Sequence, residues 1–375
     1  MAGIYIHIPF CKQACNYCNF HFSLSLTNKD AITKAIVTEI ELCNGFIDDK
    51  NIETIYFGGG TPSLLSIGEI GLIFSAIRTK FIVSPFAEIT LEANPDDISV
   101  ANMQSWISFG VNRLSVGLQS FNEAELKWMN RAHNAAQSLN CLDVIENAGI
   151  KNYSVDLIYG SPLQSDNDLK KNFEIIANRN IPHISCYALT VEKKTMLEKL
   201  IKKNKSLVID NEKQARQFQL LLQMMDEAGY EQYEISSFCT LGNRSKHNSS
   251  YWQGKPYFGF GPSAHSYNGY NKRRWNIANN SLYLQSLKNN TIPYEEEILT
   301  DADRLNEYVM TAIRTIEGIN LNKVTVEFGK ENSNRILKLS QKYFEVKKIK
   351  QTGFFLQLTK EGRFFADGIA GDLFL

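Results

Sequence analysis

Short apolar runs alternate with longer amphipathic stretches over about the first 230 residues. The runs are rich in β-branched and aromatic residues and end in Gly, Pro or polar residues, which predicts buried strands. Six such runs occupy residues 3–8, 53–57, 86–93, 112–118, 153–159 and 184–189. Strands that alternate with helices predict an α/β fold with a parallel sheet and right-handed crossovers.

Three amphipathic stretches predict helices of the same region. Residues of about 30–42 carry isoleucines at helical spacing, and Asp30 is the expected N-cap. Residues of about 135–148 and 212–228 are each followed by a glycine, which is typical of the position just after a helix.

The number of units favours an incomplete barrel. A closed eight-unit barrel needs about 250 residues, and the alternating pattern ends near residue 230. We therefore predict an incomplete (β/α)6 TIM-like barrel in residues 1–230, and prefer it to an open doubly wound sheet. Residues 231–298 are predicted to be a loop-rich connecting region, because 236–280 are rich in Gly, Asn, Ser, Tyr and Trp.

A helical pattern returns at the end of the chain. Residues 299–375 are predicted to form a small, mostly helical domain, with one helix within 302–318. Two short apolar runs, 343–348 and 354–359, predict a β-hairpin, so the domain is expected to be winged-helix-like.

Composition and charge narrow the function classes. The 375 residues are 43% hydrophobic and 21% charged, with 40 basic and 40 acidic side chains. This balance gives no electrostatic reason to expect nucleic acid or an anionic membrane as the main partner. We expect a cytoplasmic protein, because no membrane span or export signal is evident and seven scattered cysteines do not suggest a disulfide framework.

Three of the seven cysteines, Cys11, Cys15 and Cys18, lie within eight residues directly after the first predicted strand. Structural zinc sites usually have four ligands, often as two separated pairs, and iron–sulfur clusters are normally held by four cysteines. Three thiolates on a cubane would leave one iron with an open coordination position. The remaining alternative is a chance group of buried or free cysteines.

Glycines and polar residues end the other predicted strands. The second strand ends in 57-FGGGTPS-63, where glycines allow close backbone approach and free N–H groups suit an anion. Strand ends of such a barrel open onto one face, where active sites gather. Taken singly, the polar residues could be caps or ion-pair partners; they are Glu92, Gln119, Arg131 and Asp156.

The C-x3-C-x2-C motif after a first strand resembles that of the radical S-adenosylmethionine (SAM) enzymes, in which three cysteines bind a [4Fe–4S] cluster and SAM chelates the fourth iron. The resemblance implies that Cys11, Cys15 and Cys18 are the cluster ligands. The strand-end motifs together resemble the coproporphyrinogen III dehydrogenase-like group of these enzymes. The residues that this resemblance assigns to SAM binding are Tyr5, Tyr17, Gly59, Gly60, Thr61, Glu92, Gln119, Arg131, Asp156 and Ala188.

Two features depart from the dehydrogenases themselves. Phe20 stands where those enzymes have a further cysteine, and only ten residues precede Cys11, where those enzymes carry a long N-terminal extension. The chain is more similar to the HemW family of haem chaperones, which have an aromatic residue at that position and an H-N-x-x-Y-W motif linked to haem binding. Residues 247–252, HNSSYW, match it.

The motif supplies candidate haem contacts. A neutral imidazole is a good axial ligand for haem iron, so the resemblance implies that His247, with Tyr251, binds haem. On the residues alone, His247 could equally be a core or surface histidine in an aromatic loop. His265 is a second candidate ligand.

The resemblance implies a haem chaperone that binds a [4Fe–4S] cluster, SAM and haem and transfers haem to acceptor proteins. A membrane-associated acceptor and a homodimer are left open. The alternative is an oxygen-independent coproporphyrinogen III dehydrogenase-like radical SAM enzyme, so enzymatic activity is also left open.

Overall fold

A computed structural model describes residues 1–375 and contains all six predicted strands. They pair in parallel and in chain order, and the last does not return to the first, so the barrel is incomplete. The strands are β1 Ala2–Ile8, β2 Asn51–Gly59, β3 Ile82–Ala93, β4 Arg113–Gln119, β5 Tyr153–Tyr159 and β6 His183–Ala188.

Helices fill the connections between these strands and follow the last of them. They are α1 Lys29–Leu42, α2 Ile67–Lys80, α3 Val100–Ser108, α4 Glu123–Trp128, α5 Ala135–Asn147, α6 Asp166–Asn178, α7 Met196–Lys202 and α8 Asn211–Glu227. Short 3₁₀ turns, Pro62–Leu64 and Pro95–Asp97, follow β2 and β3.

The predicted helix ends are confirmed in two cases and wrong in one. Gly149 and Gly229 follow α5 and α8 in the left-handed region, with φ of +78° and +77°. Asp30 is not the N-cap of α1, because the helix begins at Lys29 and Asn28 holds that position. Asp30 lies in the first turn, where its negative charge still favours the helix dipole.

The prediction of irregular loops over 236–280 is wrong, because short strands extend the barrel sheet to twelve strands. Each has only three to five residues, too few for alternation to be recognised in the sequence. The elements are β7 Glu231–Glu234, β8 Ser237–Cys239, α9 Lys246–Trp252, β9 Tyr257–Phe260, β10 His265–Tyr267, β11 Lys272–Asn276, α10 Asn280–Lys288 and β12 Tyr294–Ile298.

The C-terminal residues pack around a separate hydrophobic core. The predicted helix is α11, and three more helices and a three-stranded sheet surround it. The elements are α11 Asp301–Ile313, β13 Ile319–Asn320, α12 Leu321–Phe328, α13 Lys330–Glu345, β14 Ile349–Thr352, β15 Phe355–Leu358, a 3₁₀ turn Gly362–Phe365 and α14 Ala366–Leu373.

One strand of the predicted hairpin is displaced. Residues 343–348 are the end of α13 and the turn after it, and the first hairpin strand is 349–352. The apolar run was misread because Tyr343 and Phe344 belong to the face of the helix that packs against the C-terminal core. The second strand, β15, lies within the predicted run.

The barrel strands have an apolar and a polar face. Ile89 and Leu91 of β3 belong to the main hydrophobic core, whereas the alternate residues, such as Thr90 and Glu92, belong to the opposite face, on which Glu92 lines a cavity. This alternation directs polar side chains into the barrel. Those near the carboxyl ends of the strands, such as Glu92, line the cavity. No helix of the structure has the length and apolar content that crossing a bilayer requires.

Candidate cofactor-binding site

A cavity of about 460 Å³ lies at the carboxyl ends of the barrel strands. Every residue that the sequence assigned to the cluster or to SAM lines it, except Tyr5. These residues are Cys11, Cys15, Tyr17, Cys18, Gly59, Gly60, Thr61, Glu92, Gln119, Arg131, Asp156 and Ala188. Residues of the cysteine loop and of five of the six barrel strands, together with the Arg131 loop, therefore line one cavity.

The protein itself fixes the cysteine loop between β1 and α1. The N–H of Cys11 donates to the carbonyl of Ser23 at 3.0 Å. The side chain of Asn16 donates to the Trp128 carbonyl at 2.6 Å, and that of Asn130 donates to the Ala14 carbonyl at 2.7 Å. These bonds join the loop to the end of α4 and the residues after it. Hydrogen bonds within the protein therefore hold the loop that carries the three free thiols.

The chemistry of the thiols fits a cationic cluster. Burial raises the pKa of the Cys11 thiol, and raises that of Cys18 to about 11, so both need a nearby positive charge to ionise. Iron supplies such a charge, and an all-thiol donor set is typical of iron–sulfur centres. No three His, Cys, Asp or Glu side chains lie close enough to share a single metal ion. The thiolates of a cubane, by contrast, bind separate irons.

The glycine turn after β2 packs tightly against the start of the cysteine loop. The N–H of Gly60 donates to the Ile8 carbonyl at 2.8 Å, and a Cβ at this position would lie 2.6 Å from the carbonyl oxygen of Phe10. Gly59 has φ of +106°, and a Cβ there would lie 2.6 Å from the His7 ring. The motif is therefore glycine-rich because β1 and β2 approach closely at the cavity.

Arg131 joins the cysteine loop to the strand ends. Its Nη2 donates to Asn94 Oδ1 at 2.8 Å and to the Gly117 carbonyl at 2.7 Å, and its Nη1 donates to Cys15 Sγ at 3.1 Å. Its Nε is buried and has no protein partner. An unpartnered charged donor at a cavity suits an anionic group such as a carboxylate.

Two carboxyl groups line the same cavity. Burial raises the pKa of Glu92 to about 8 and that of Asp156 to about 6, and a cationic ligand would favour the ionised form of both. Gln119, between them on β4, is buried and has a left-handed φ of +67°, a strained conformation that is often found at functional sites. Two acids and one arginine complement SAM, which carries two positive charges and one carboxylate.

Two residues that support the site were not predicted from the sequence. Asn94 accepts from Arg131 and follows the Glu92 strand end, so its position could have suggested it. Tyr56, whose hydroxyl donates to Glu92 Oε1 at 2.8 Å, lies in an apolar strand and resembles an ordinary core residue. No local pattern distinguishes it.

The candidate haem residues of the H-N-x-x-Y-W motif lie near the opposite ends of the strands. His247 is fully buried, and its ring stacks on Tyr56 with the centroids 5.0 Å apart. Its Nδ1 is 2.8 Å from Thr54 Oγ1 and its Nε2 is 2.9 Å from the Tyr251 hydroxyl. Burial lowers its pKa to about 3, so the ring is neutral. In this conformation both ring nitrogens are engaged, as in a core histidine, and haem ligation by His247 stays a prediction.

The second candidate haem ligand is more accessible. His265 is an exposed residue of β10, and its ring stacks on Trp275 with the centroids 6.1 Å apart. His7, the residue before Ile8 at the end of β1, is buried and bonds through Nε2 to the His21 carbonyl at 2.9 Å. This contact gives His7 a structural role behind the cysteine loop.

The chain is similar to known proteins over most of its length. Residues 5–176 match the radical SAM superfamily and residues 299–365 match the HemN C-terminal domain. The heme chaperone HemW of Mycobacterium tuberculosis (strain H37Rv) is 31% identical over 86% of this chain and 84% of its own length. The heme chaperone HemW of Buchnera aphidicola (subspecies Schizaphis graminum) is 31% identical over 98% and 96%.

A solved structure shows the same fold over nearly the whole chain. The coproporphyrinogen III oxidase HemN of Escherichia coli superimposes with a TM-score of 0.83 at 20% identity, covering 99% of this chain and 90% of its own. At this identity the likeness establishes the fold only. Together, the matched domains and the relatives that align over most of both chains show that this chain belongs to the HemW family of the radical SAM superfamily.

Proposed function

We propose that this protein is a haem chaperone that binds a [4Fe–4S] cluster and SAM, binds haem, and transfers the haem to acceptor proteins. The observation that carries the cofactor part is the single cavity that gathers three thiols, a glycine turn, one arginine and two carboxyl groups. The haem part is supported by the relatives, which are named heme chaperones.

Within this proposal, Cys11, Cys15 and Cys18 hold the cluster, and its fourth iron is left for SAM. When bound, such a cluster can transfer an electron to SAM. Arg131 and the carboxyl groups of Glu92 and Asp156 line the cavity, and we expect them to contact SAM as a zwitterionic ligand.

The rim of the cavity supports a carrier rather than a catalyst. Phe20, at the position where the dehydrogenases have a further cysteine, lines the cavity and is 66% exposed. With Phe22 it forms an apolar edge beside the cysteine loop. Coproporphyrinogen III dehydrogenase activity remains the competing function, because HemN, a coproporphyrinogen III oxidase, has the same fold as this chain.

Cluster binding is tested by anaerobic reconstitution with iron and sulfide. The wild-type chain should hold four irons, and Cys11→Ser should lose most of them. Cys43→Ser is the control, because Cys43 lies outside the cavity at the end of α1. Equal iron content in all three proteins would refute the assignment of the cluster ligands.

Haem binding is tested by absorbance titration of the reconstituted protein. One haem per chain is expected. His265→Ala should change the Soret spectrum if the exposed ring is the axial ligand, and His247→Ala should do so if α9 opens on binding. Failure of the wild-type protein to bind haem in stoichiometric amounts would refute the chaperone function.

The proposal also includes the localisation of the protein, its partners and its oligomeric state. We place the protein in the cytoplasm and expect haem-accepting proteins, some of them at the membrane, as its partners. A homodimer is one possible assembly. Crosslinking of the haem-loaded protein in cell extract would identify the acceptors, and sedimentation would give the oligomeric state.

A further inference from the structure

We propose that Tyr56 and His247 are positioning residues that fix the Glu92 carboxylate in the cofactor cavity, so that the H-N-x-x-Y-W motif is built into the SAM site. This inference rests on the proposed binding of SAM beside Glu92. It gives His247 a role that does not require contact with haem.

The contact nearest the cavity is the hydrogen bond from the Tyr56 hydroxyl to Glu92 Oε1, at 2.8 Å. Tyr56 is the only side chain that donates a hydrogen bond to Glu92, and the backbone of Gly59 is its other partner. A carboxylate at the end of a flexible side chain has several rotamers, and a buried side-chain donor helps to select among them. Tyr56 is itself 8% exposed, so its hydroxyl has little access to water as a competing partner.

Two aromatic rings pack against the Tyr56 ring. The His247 ring stacks on it, with the centroids 5.0 Å apart and the planes 23° apart. The Tyr5 ring also stacks on it, at 6.1 Å and 24°. Tyr5 is the one predicted SAM residue that does not line the cavity, and this contact gives it an indirect role there. The tyrosine therefore has little freedom to move its hydroxyl away from Glu92.

His247 is in turn held by hydrogen bonds on the side of the barrel away from the cavity. Its two ring nitrogens bond to Thr54 Oγ1 and to the Tyr251 hydroxyl. The backbone N–H groups of Lys246 and His247, in the first turn of α9, donate to the Glu88 carboxylate at 3.1 and 3.0 Å. A continuous set of contacts thus runs from α9 through His247 and Tyr56 to Glu92, along about 13 Å of strand between the levels of Glu88 and Glu92.

These contacts could serve packing alone, so the test must separate packing from positioning. Tyr56→Phe keeps the stacked ring and removes only the hydroxyl that reaches Glu92. Tyr283→Phe is a matched control, because Tyr283 is a fully buried tyrosine whose hydroxyl donates to another buried carboxylate, that of Glu39, outside the cavity.

The measurement is SAM affinity by calorimetric titration of the anaerobically reconstituted full chain, with the electron paramagnetic resonance spectrum of the reduced cluster recorded with and without SAM. Tyr56→Phe should weaken SAM binding about tenfold, the usual effect of losing a hydrogen bond to a charged group. It should also alter the SAM-induced spectral change while leaving the iron content at the wild-type value. Tyr283→Phe should match the wild type in all three.

A second pair of variants tests the link from α9. Thr54→Val removes a hydrogen bond to His247 and should weaken SAM binding by a smaller factor. On a Glu92→Ala background, Tyr56→Phe should have no further effect, because the group that it positions is absent.

The outcomes separate this inference from the proposed function. If the wild-type chain holds a cluster but does not bind SAM, the proposed function fails. If it binds SAM and Tyr56→Phe binds it equally well, the positioning role is refuted. Equal losses in Tyr56→Phe and Tyr283→Phe would also refute it, since a general loss of structure would then explain both. Additive effects of Tyr56→Phe and Glu92→Ala would refute it in the same way.

Discussion

Replacement of Arg131 by methionine should destabilise the barrel before any cofactor is bound. Methionine fills a similar volume but donates no hydrogen bond. The change leaves Asn94 Oδ1 and the Gly117 carbonyl without the donors that they have at 2.8 and 2.7 Å. It also removes the contact of 3.1 Å with Cys15 Sγ, which holds the cysteine loop against the strand ends.

The size of this effect follows from the number of bonds lost. Hydrogen bonds to a charged group contribute about 1.5–3 kcal/mol each, and the desolvation of the arginine offsets part of that. We expect a net loss of about 2–4 kcal/mol in the free energy of unfolding. With a denaturant dependence of about 3 kcal/mol per molar urea, the midpoint should fall by roughly 1 M.

The assay is urea unfolding of the cofactor-free protein, followed by circular dichroism. Arg179→Met is the control, because Arg179 also donates to several partners, the carboxylates of Asp143 at 2.8 Å and Glu146 at 3.3 Å, but lies at the surface. Surface ion pairs contribute about 0–1 kcal/mol, so the control should move the midpoint by less than about 0.3 M. Equal midpoints for Arg131→Met and wild type would refute the structural role of Arg131.

Three further predictions concern single positions. Gly60→Ala should lower the iron content after reconstitution, because its Cβ would press on the chain that leads to Cys11, whereas Gly68→Ala, with open space around the new Cβ, should not; equal iron contents would contradict this. Phe20→Cys should leave the iron content at four per chain, since three thiols already hold the cluster, and a higher content would count against that ligand set. In the cofactor-free protein, the Glu92 pKa of about 8 lies above the unfolded value of about 4.3, so the native state binds the extra proton and stability falls as pH rises between these values. Glu92→Gln should flatten that fall in urea midpoints at pH 5 and pH 8, and an unchanged slope would contradict the assignment.

The barrel could be predicted because its strands are buried on one face by helices and therefore contain recognisable apolar runs. The site could be predicted for a related reason, since functional residues such as Glu92 and Asp156 interrupt those runs where the strands end. Parallel strands then bring their ends together without further information. The family resemblance added the assignment of each residue to a cofactor.

The remaining features depend on contacts between distant parts of the chain. The strands added by residues 231–298 are too short to show a pattern, and they form because the open edges of the barrel sheet offer backbone partners. The end of α13 resembles a strand because its aromatic residues serve the C-terminal core. Tyr56 and His247 have roles that only the assembled barrel reveals, because each is defined by what it stacks on and bonds to.

The most direct test of the central claim is an anaerobic assay in which the reconstituted protein, with SAM and a reductant, is offered haem and coproporphyrinogen III in separate reactions. The chaperone account predicts stoichiometric haem binding, transfer of that haem to a haem-free acceptor, and no conversion of coproporphyrinogen. Conversion of coproporphyrinogen at a catalytic rate, or the absence of haem binding, would contradict it.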